Sequence, residues 1–156
     1  MQVMAELLAR HAQAGRVDWI GVRPARRADV IAVRQVQVAP SGLDGDRSRA
    51  GKRAVTLIQA EHLPAIAGLL GVDAVTPEAL RRNLVISGIN LGALKGHDIA
   101  VGTAVLRLTV ICAPCSRMEE TFGHGGYNAV RGHGGWCAEV VTPGVVTRGD
   151  VVRVVD

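Results

Sequence analysis

Two cysteines, Cys112 and Cys115, are separated by two residues and follow an apolar, strand-like run in the segment LTVICAPCSRMEETF (108–122). Thiol pairs with this spacing serve three kinds of chemistry. Structural zinc needs four ligands, disulfide exchange needs a long following helix, and a single metal-ligating or sulfur-carrying thiolate needs an anion-binding pocket beside it. The remaining residues indicate which of these neighbours the chain supplies.

Zinc binding and disulfide exchange both lack their usual sequence context. His124 and His133 follow the cysteines at spacings that match no closed zinc site. A thioredoxin-like pair would need a long helix after Cys115, whereas Gly123 is expected to end any helix within about two turns. Both functions stay open as alternatives, and both would require Cys112 as strictly as Cys115.

Basic residues are concentrated in two segments that are candidates for an anion site. SGLDGDRSRAGKR (41–53) joins a glycine turn, whose backbone N–H groups can converge, to a run of basic side chains. RRNLVISGI (81–89) places two arginines and an asparagine at a predicted helix-to-strand junction, where arginine can clamp a phosphate. A solvated loop is the alternative for the first segment, and a structural role is the alternative for Asn83.

A glycine-rich segment, GHGGYNAVRGHGGWC (123–137), follows the thiols. Its closely spaced glycines predict a mobile loop able to close over a ligand. Its two histidines, taken singly, fit surface positions as well as they fit ligands. Cys137 falls inside the predicted strand WCAEVV, where the expected role of a cysteine is that of a small buried hydrophobe.

Length and composition favour one β-rich domain spanning residues 1–156, with an N-terminal helix (1–16) packed on it. The chain is 48% hydrophobic but has only two Trp, one Tyr and one Phe, so Val, Leu, Ile and Ala must build the core. The net charge of +4 suits an anionic partner. The scarcity of aromatic stacking platforms and the lack of a groove-reading motif favour a small anionic ligand and no nucleic acid.

The location of the protein is inferred from segments that the sequence lacks. No apolar run reaches the roughly 20 residues that span a bilayer, and the N-terminal residues show no secretory signal pattern. We therefore expect a cytoplasmic protein with no membrane association. Three cysteines, an odd number, in such a chain predict reduced thiols and no disulfide framework.

Short β-branched runs broken by glycine turns dominate the chain and must position the thiols and basic segments. Two further helices are predicted, one over 59–70 with Gly71 as its stop and one over 76–83 with Thr76 as its cap and Pro77 at its first position. An interruption is expected near Gln35, where the alternation of valines is imperfect. The pattern predicts a mainly β fold, a closed or nearly closed antiparallel β-barrel with two to four short helices.

In this order the segments resemble a MOSC domain, the module named for the C-terminal part of molybdenum cofactor sulfurases. The resemblance extends from about Asp18 to the C-terminus. Its matching stretches are WIGVRPARRADV, GLDGDR, RRNLVISGI, VLRLTVICAPC, RGHGGWCAEV and GVVTRGDVV. The combination of RRNLVISGI with Cys-x-x-Cys about twenty residues later is its most specific part.

The resemblance implies a β-barrel protein that handles molybdenum cofactor or sulfur. By position after the strand, Cys115 matches the molybdenum-ligating and catalytic cysteine of cofactor-binding relatives, while Arg47, Arg81 and Asn83 match cofactor contacts. A thiolate is a soft ligand that suits molybdenum, and nearby arginines would lower its pKa and neutralise the pterin phosphate. The implied activity is reduction of N-hydroxylated compounds with a molybdenum-pterin cofactor.

The alternative function is that of a non-catalytic sulfur carrier, with a persulfide held on Cys115 for maturation of a cofactor or metal-sulfur cluster. The sequence contains no recognisable pyridoxal-phosphate-dependent or ferredoxin-like segment. We therefore expect the sulfur to come from a separate cysteine desulfurase, or the electrons from a separate electron-transfer protein.

Overall fold

Strands are the commonest regular element of the structure, a computed structural model that describes residues 3–155. Eleven strands occur in this range: β1 (Gly15–Val22), β2 (Ile31–Val33), β3 (Gln35–Ala39), β4 (Gly42–Leu43), β5 (Val55–Gln59), β6 (Leu84–Ser87), β7 (Asp98–Val101), β8 (Ala104–Ile111), β9 (Trp136–Thr142), β10 (Gly144–Thr147) and β11 (Val151–Val154). The same range contains five α-helices: α1 (Met4–Leu8), α2 (His62–Leu70), α3 (Pro77–Leu80), α4 (Ser116–Phe122) and α5 (Gly126–Val130). A 3-10 helix spans Leu91–Leu94.

Seven of the strands close into a barrel, in the order β1, β11, β7, β8, β9, β5 and β6, with β6 paired back to β1. This confirms the predicted β-barrel. Every neighbouring pair is antiparallel except β5 and β6, which run parallel, so the barrel is mixed where a purely antiparallel one was expected. Parallel neighbours need a long crossover connection, and the segment containing α2 and α3 supplies it.

The wall of the barrel separates two apolar clusters. All five residues of β5 are buried because successive side chains point to opposite faces and both faces are covered. Leu57 joins the larger cluster, formed by the other strands of the barrel. Ile58 joins the smaller cluster, which packs the wall against Ile66 of α2, Leu80 of α3 and Met118 of α4. Each such side chain contributes about 1.5–3 kcal/mol when fully buried.

A second, three-stranded sheet in the order β10, β3, β4 lies beside the barrel. Val36 and Val38 alternate with exposed residues along β3 and face the core. The chain passes from β2, at the edge of the first sheet, to β3 in the second sheet at Arg34. The interruption predicted near Gln35 is therefore the point at which the chain changes sheets.

The ends of the two central helices follow the predicted signals. Helix α2 stops at Gly71, whose φ of 73° is the left-handed conformation that glycine adopts without strain. Helix α3 begins with Pro77, and the Thr76 hydroxyl accepts a hydrogen bond from the Ala79 N–H (3.3 Å). These short-range signals need no tertiary contact to act.

The five α-helices exceed the two to four that were expected, because the glycine-rich segment contains α5 where a loop was predicted. The Glu119 carboxylate accepts hydrogen bonds from the N–H groups of Gly125 (2.9 Å) and Tyr127 (3.0 Å), and these bonds lower its pKa. Gly126 packs closely on the backbone of Met118, where a Cβ atom would lie 2.4 Å from its carbonyl oxygen. One carboxylate and one glycine thus fold the segment against α4.

Helix α1 occupies part of the segment predicted as an N-terminal helix, but none of its residues is buried. Residues 1 and 2 of that prediction lie outside the described range. The five residues of α1 are exposed, and the packing of an N-terminal helix on the barrel stays a prediction. No helix in residues 3–155 has the length and apolar character that a membrane crossing requires.

Candidate functional site

The end of β8 meets the start of β9 and the middle of β5, and this junction holds two of the three thiols. Cys112 directly follows Ile111, the last residue of β8, and its N–H donates to the Gly135 carbonyl (2.8 Å). Cys137 lies on β9 opposite Thr56 of β5. Two segments far apart in the sequence thereby bring Cys112 and Cys137 into hydrogen-bond contact.

A pocket of about 530 Å³ opens beside these thiols, and we call it the basic pocket. Four arginines line it together with Cys112 and Cys137, namely Arg23, Arg47, Arg49 and Arg53. Three of the four come from the 41–53 segment, so the predicted anion-binding loop does reach a thiol. Guanidinium groups from two parts of the chain around one cavity form a positive site for an anion.

Arg23 is the fixed member of this set. Its guanidinium binds the Asp46 carboxylate with two hydrogen bonds (3.1 and 3.0 Å), and its backbone N–H donates to the same carboxylate (2.7 Å). Burial of Asp46 opposes ionisation, yet the hydrogen bonds and charge of Arg23, aided by Asn83, hold the Asp46 pKa below its ordinary value. Although the side chain of Asp46 is fully buried, these partners favour its ionised form.

Asn83 supports the basic pocket from beneath and does not line it. The side chain is completely buried, and its oxygen accepts from the Thr56 N–H (3.0 Å) and hydroxyl (3.2 Å). Its amide donates to the Gly21 carbonyl (3.1 Å) and to Asp46 (3.1 Å). These bonds occupy the amide, so Asn83 positions Asp46 and Thr56.

Arg81, the second residue expected at the cofactor, faces a neighbouring depression that it shares with Arg117. One guanidinium nitrogen donates to the Ala28 carbonyl (2.5 Å), while Nη2 is buried without a hydrogen-bond partner in the described part of the chain. Burial first, and then the charges of Arg117, Arg23 and Arg47, lower the Arg81 pKa. Arg81 thus adds positive charge near the basic pocket but is not among its lining residues.

Arg82, which the sequence placed only within the basic junction, contacts the thiol loop directly. It is 7% exposed, and it donates to the carbonyls of Gly134 (2.7 Å), Leu80 (3.1 Å) and Cys112 (3.5 Å). A buried cation bonded to the Cys112 carbonyl both fixes this loop and favours a nearby negative charge. Because Arg81 and Arg82 are adjacent residues of the same type, the sequence gave no signal that Arg82 would be the one to contact the thiol loop.

Cys112 is the activated thiol of the junction. The hydrogen bond from Cys137 is the largest influence on it, burial opposes ionisation, and the charges of Arg82, Arg23 and Arg53 favour the thiolate, so that the Cys112 pKa falls to about 6. The same hydrogen bond and burial raise the pKa of Cys137. The thiolate form of Cys112 is therefore favoured, and Cys137 is the thiol that retains its proton.

Cys137 is buried as predicted, at 3% exposure, but the sequence gave no sign of its partnership with Cys112. Cys115 occupies the position before α4, is exposed, and is not among the residues that line the basic pocket. The four predicted site residues are Arg47, Arg81, Asn83 and Cys115, and only Arg47 lines the basic pocket. The thiol of the Cys-x-x-Cys pair that lines it is Cys112.

A second cavity, of about 180 Å³, adjoins the basic pocket at residues 111–113, and we call it the apolar pocket. Apolar side chains dominate its wall, namely Leu91, Ile111, Pro114 and Trp136. His62 also lines it and contacts His133 edge to face, with ring centroids 5.0 Å apart. Burial, followed by the charge of His133, lowers the His62 pKa. Cys112 thus forms part of the wall of both cavities.

The predicted zinc ligands are not brought together. His124 is exposed, whereas His133 is half-buried beside His62. Within residues 3–155, no three His, Cys, Asp or Glu side chains converge in a way that could hold a metal ion.

Comparison with known proteins identifies the family. The profile of the MOSC domain matches residues 41–153, and the chain therefore belongs to the MOSC domain family. This confirms the resemblance inferred from the sequence. A search of curated proteins finds no match to the chain.

Solved structures share the fold. The crystal structure of the YuaD protein from Bacillus subtilis superimposes with a TM-score of 0.78 at 19% identity, over 90% of this chain and 94% of that one. YiiM from Escherichia coli gives 0.74 at 21% identity, over 92% and 70%. YiiM from Geobacillus stearothermophilus gives 0.76 at 19% identity, over 91% and 75%. At these identities the structural similarity establishes the fold alone.

Proposed function

We propose that this MOSC-domain protein binds a molybdenum-pterin cofactor in the basic pocket. The observation that supports this most directly is the enclosure of one cavity of about 530 Å³ by four arginines and an activated thiolate. A pterin cofactor carries a phosphate and presents a soft metal, and this donor set offers a partner to each. The residues present therefore fit the group that the family implies.

The arginines divide the work of binding. Arg23 is held rigidly by Asp46, so it loses little freedom when an anion arrives. Arg47, Arg49 and Arg53 are exposed on the 41–53 segment and can close around a phosphate. Arg81 raises the local positive potential from the adjacent depression.

We assign the metal-binding thiolate to Cys112 in preference to Cys115. Cys112 lines the basic pocket and has a pKa of about 6, whereas Cys115 is exposed at the start of α4. Because the thiolate and not the thiol is the ligand, Cys112 can bind a soft metal at neutral pH without first losing a proton. Cys115 stays the candidate suggested by family position, and the experiment below separates the two.

The bound cofactor would supply the redox chemistry, and the protein would hold, orient and shield it. The activity implied by the family resemblance is reduction of N-hydroxylated compounds, with electrons delivered by a separate electron-transfer protein. Cys137 would keep its proton in the hydrogen bond to Cys112 and so preserve the thiolate. A cytoplasmic location, where thiols stay reduced, belongs to this proposal.

The test is the molybdenum and pterin content of protein purified from a host that makes the cofactor. We expect both in the wild type, and loss of molybdenum in Cys112→Ser with retention in Cys115→Ser. The double variant Arg49→Ala/Arg53→Ala should lower occupancy about tenfold. Its matched control is Arg34→Ala/Arg148→Ala, which removes two exposed arginines that line a different depression.

Each outcome of this test is informative. Molybdenum that is lost in Cys115→Ser and kept in Cys112→Ser would return the ligand role to Cys115. Wild-type protein without molybdenum or pterin would overturn the cofactor proposal. Equal losses in the two arginine double variants would show that general charge, and not the basic pocket, governs binding.

The exposure of Cys115 favours a second candidate, the sulfur carrier. An exposed thiol can meet another protein, which a thiol in a pocket cannot do as readily. The Cys115 thiolate would attack the outer sulfur of a persulfide on a separate desulfurase. A new S–S bond forms, the donor S–S bond breaks, and its electron pair leaves on the donor thiolate.

The sulfur-carrier proposal is tested by mass spectrometry after incubation with a cysteine desulfurase and cysteine. We expect the added mass of one sulfur on the peptide containing Cys115, and its loss in Cys115→Ser. Modification confined to Cys112, or no modification at all, would contradict the carrier role of Cys115.

A further inference from the structure

The apolar pocket has no role in the function proposed above. It shares Ile111, Cys112 and Ala113 with the basic pocket, but its other walls are different in kind. Leu91, Pro114 and Trp136 supply apolar surface, and no arginine, lysine, aspartate or glutamate lines it. A cavity lined by arginines and a cavity without charged lining residues therefore adjoin at the segment 111–113.

The size of the apolar pocket restricts what it can hold. Its volume is about 180 Å³, slightly more than the roughly 150 Å³ of an engineered cavity that binds benzene. A single six-membered ring with one small substituent fits this volume, and a fused ring system with a phosphate does not. The indole of Trp136 offers a flat apolar wall against which such a ring can pack.

Polar contacts available to a ligand in this pocket are few. The amide of Gln59 is already engaged, donating to Glu61 (2.7 Å) and to the Ile89 carbonyl (2.9 Å) and accepting from the Leu91 N–H (2.9 Å). Besides Cys112, the polar side chains that remain are the imidazole of His62 and the amide of Asn90, whose oxygen accepts from the Gly92 N–H (3.1 Å). The neutral form of His62 is favoured by its burial and by His133, so the pocket offers a dipole and not a full positive charge.

We propose that the apolar pocket is a binding site for a small, uncharged, single-ring molecule, which packs on Trp136, meets His62 with its polar substituent and contacts Cys112. An anion is disfavoured there because it would lose its hydration and no arginine or lysine lines the pocket to compensate its charge. A cation lacks a carboxylate partner among the lining residues and would lose its hydration. This inference concerns the second face of Cys112 and does not depend on which anion occupies the basic pocket.

The probes that test this inference are benzamide and benzoate, which have nearly the same shape and differ in charge. The protein carries two tryptophans, so the Trp19→Phe variant leaves the indole N–H signal of Trp136 as a unique NMR reporter. We expect benzamide to shift this signal saturably, with an affinity on the order of millimolar for a ligand of this size. Benzoate should bind at least about tenfold more weakly, because burial removes the hydration of its carboxylate and no arginine or lysine lines the pocket.

Variants locate the site. A Cβ added at Gly92 would lie 3.8 Å from Cζ2 of Trp136, so Gly92→Val should fill the pocket and abolish the shift. His62→Leu should weaken benzamide binding several-fold, whereas His124→Leu, which changes an exposed histidine elsewhere, should not. Arg34→Ala, at an exposed arginine that lines a different depression, should leave benzamide binding unchanged.

Three results would overturn the inference: no saturable shift with benzamide, benzoate binding as tightly as benzamide, or full binding in Gly92→Val. The folded state of each variant is checked by the dispersion of its NMR spectrum. Because the assay uses protein without cofactor, its failure is independent of the molybdenum analysis. Conversely, a protein that binds benzamide but contains no molybdenum would keep this inference and lose the proposed function.

Discussion

The basic pocket and the apolar pocket meet at Cys112 but are built in different ways. The basic pocket is made by three arginines of the exposed 41–53 segment together with Arg23, which a buried carboxylate fixes. The apolar pocket is made by strand ends and glycine turns whose backbone is locked by close packing. Cys112 therefore lines one pocket together with charged arginine side chains and a second pocket whose side chains are mostly apolar.

The largest expected effect is the loss of stability on changing Asn83, which supports the basic pocket and not the apolar pocket. Asn83→Ala would remove the side-chain hydrogen bonds to the Thr56 N–H and the Gly21 carbonyl and one of the bonds to Asp46, which keeps those from Arg23. We expect a loss of about 3 kcal/mol in the free energy of unfolding, measured by chemical denaturation. Asn90→Ala, at an exposed position with one local bond, is the control and should cost less than about 1 kcal/mol. Equal losses would contradict a special role for Asn83.

A smaller effect is expected at Asp46, and it depends on pH. The Asp46 pKa is lowered in the folded state, so its ion pair with Arg23 stabilises the protein above the unfolded pKa, and this contribution is lost as the pH falls through the folded pKa. Asp46→Asn should cost about 2 kcal/mol at pH 7. The difference between the two proteins should shrink as the pH drops below 4, measured by thermal unfolding across pH. A difference that is constant with pH would rule out the charge of Asp46 as its cause.

The influence of Cys137 on the reactivity of Cys112 can be measured separately from the influence of the arginines. The rate of alkylation of Cys112 by iodoacetamide, followed by peptide mass spectrometry, should rise with pH through a midpoint of about 6. In Cys137→Ala the midpoint should move upward, because the largest influence that favours the thiolate is removed. Cys115→Ser should leave it unchanged. An unshifted midpoint in Cys137→Ala would show that the arginines alone activate Cys112.

The smallest expected effect concerns single arginines of the exposed loop. Inorganic phosphate should slow alkylation of Cys112 by occupying the basic pocket, and Arg53→Ala should weaken this protection about two- to fivefold, as expected for a solvent-exposed charge. Added sodium chloride should weaken the protection as well. Arg34→Ala, outside the pocket, is the control. Protection that is equally weakened in both variants would mean that phosphate acts through overall charge.

Local sequence signals predicted much of the fold. The β-branched runs predicted most of the barrel strands, and the Thr76, Pro77 and Gly71 signals predicted the ends of two helices. These succeed because capping and alternation act over a few residues. The parallel pairing of β5 and β6 escaped prediction, since strand order depends on contacts between distant segments. The fold of the glycine-rich segment escaped for the same reason, because it depends on Glu119 of α4.

The lining of the basic pocket was predicted in part, and the role of Cys115 stays a prediction. The sequence indicated that a thiol of the Cys-x-x-Cys pair would meet the basic loop, and the structure brings Cys112 and Arg47 to one cavity. Family position pointed to Cys115, but the activation of Cys112 comes from Cys137 across the β8–β9 junction and from the inward turn of Arg82. Both contacts join residues that are distant in the sequence, so neither could be predicted from local composition.

The pairing of β1 with β11 has a consequence for synthesis of the protein. Gly15 lies opposite Val152, so the barrel cannot close until residues 151–154 have emerged from the ribosome. Pairing between such distant strands is slow compared with local hairpin formation. Until it occurs, the nascent chain has an open sheet edge at β1, and chaperones that cover exposed strands would have this edge as their target.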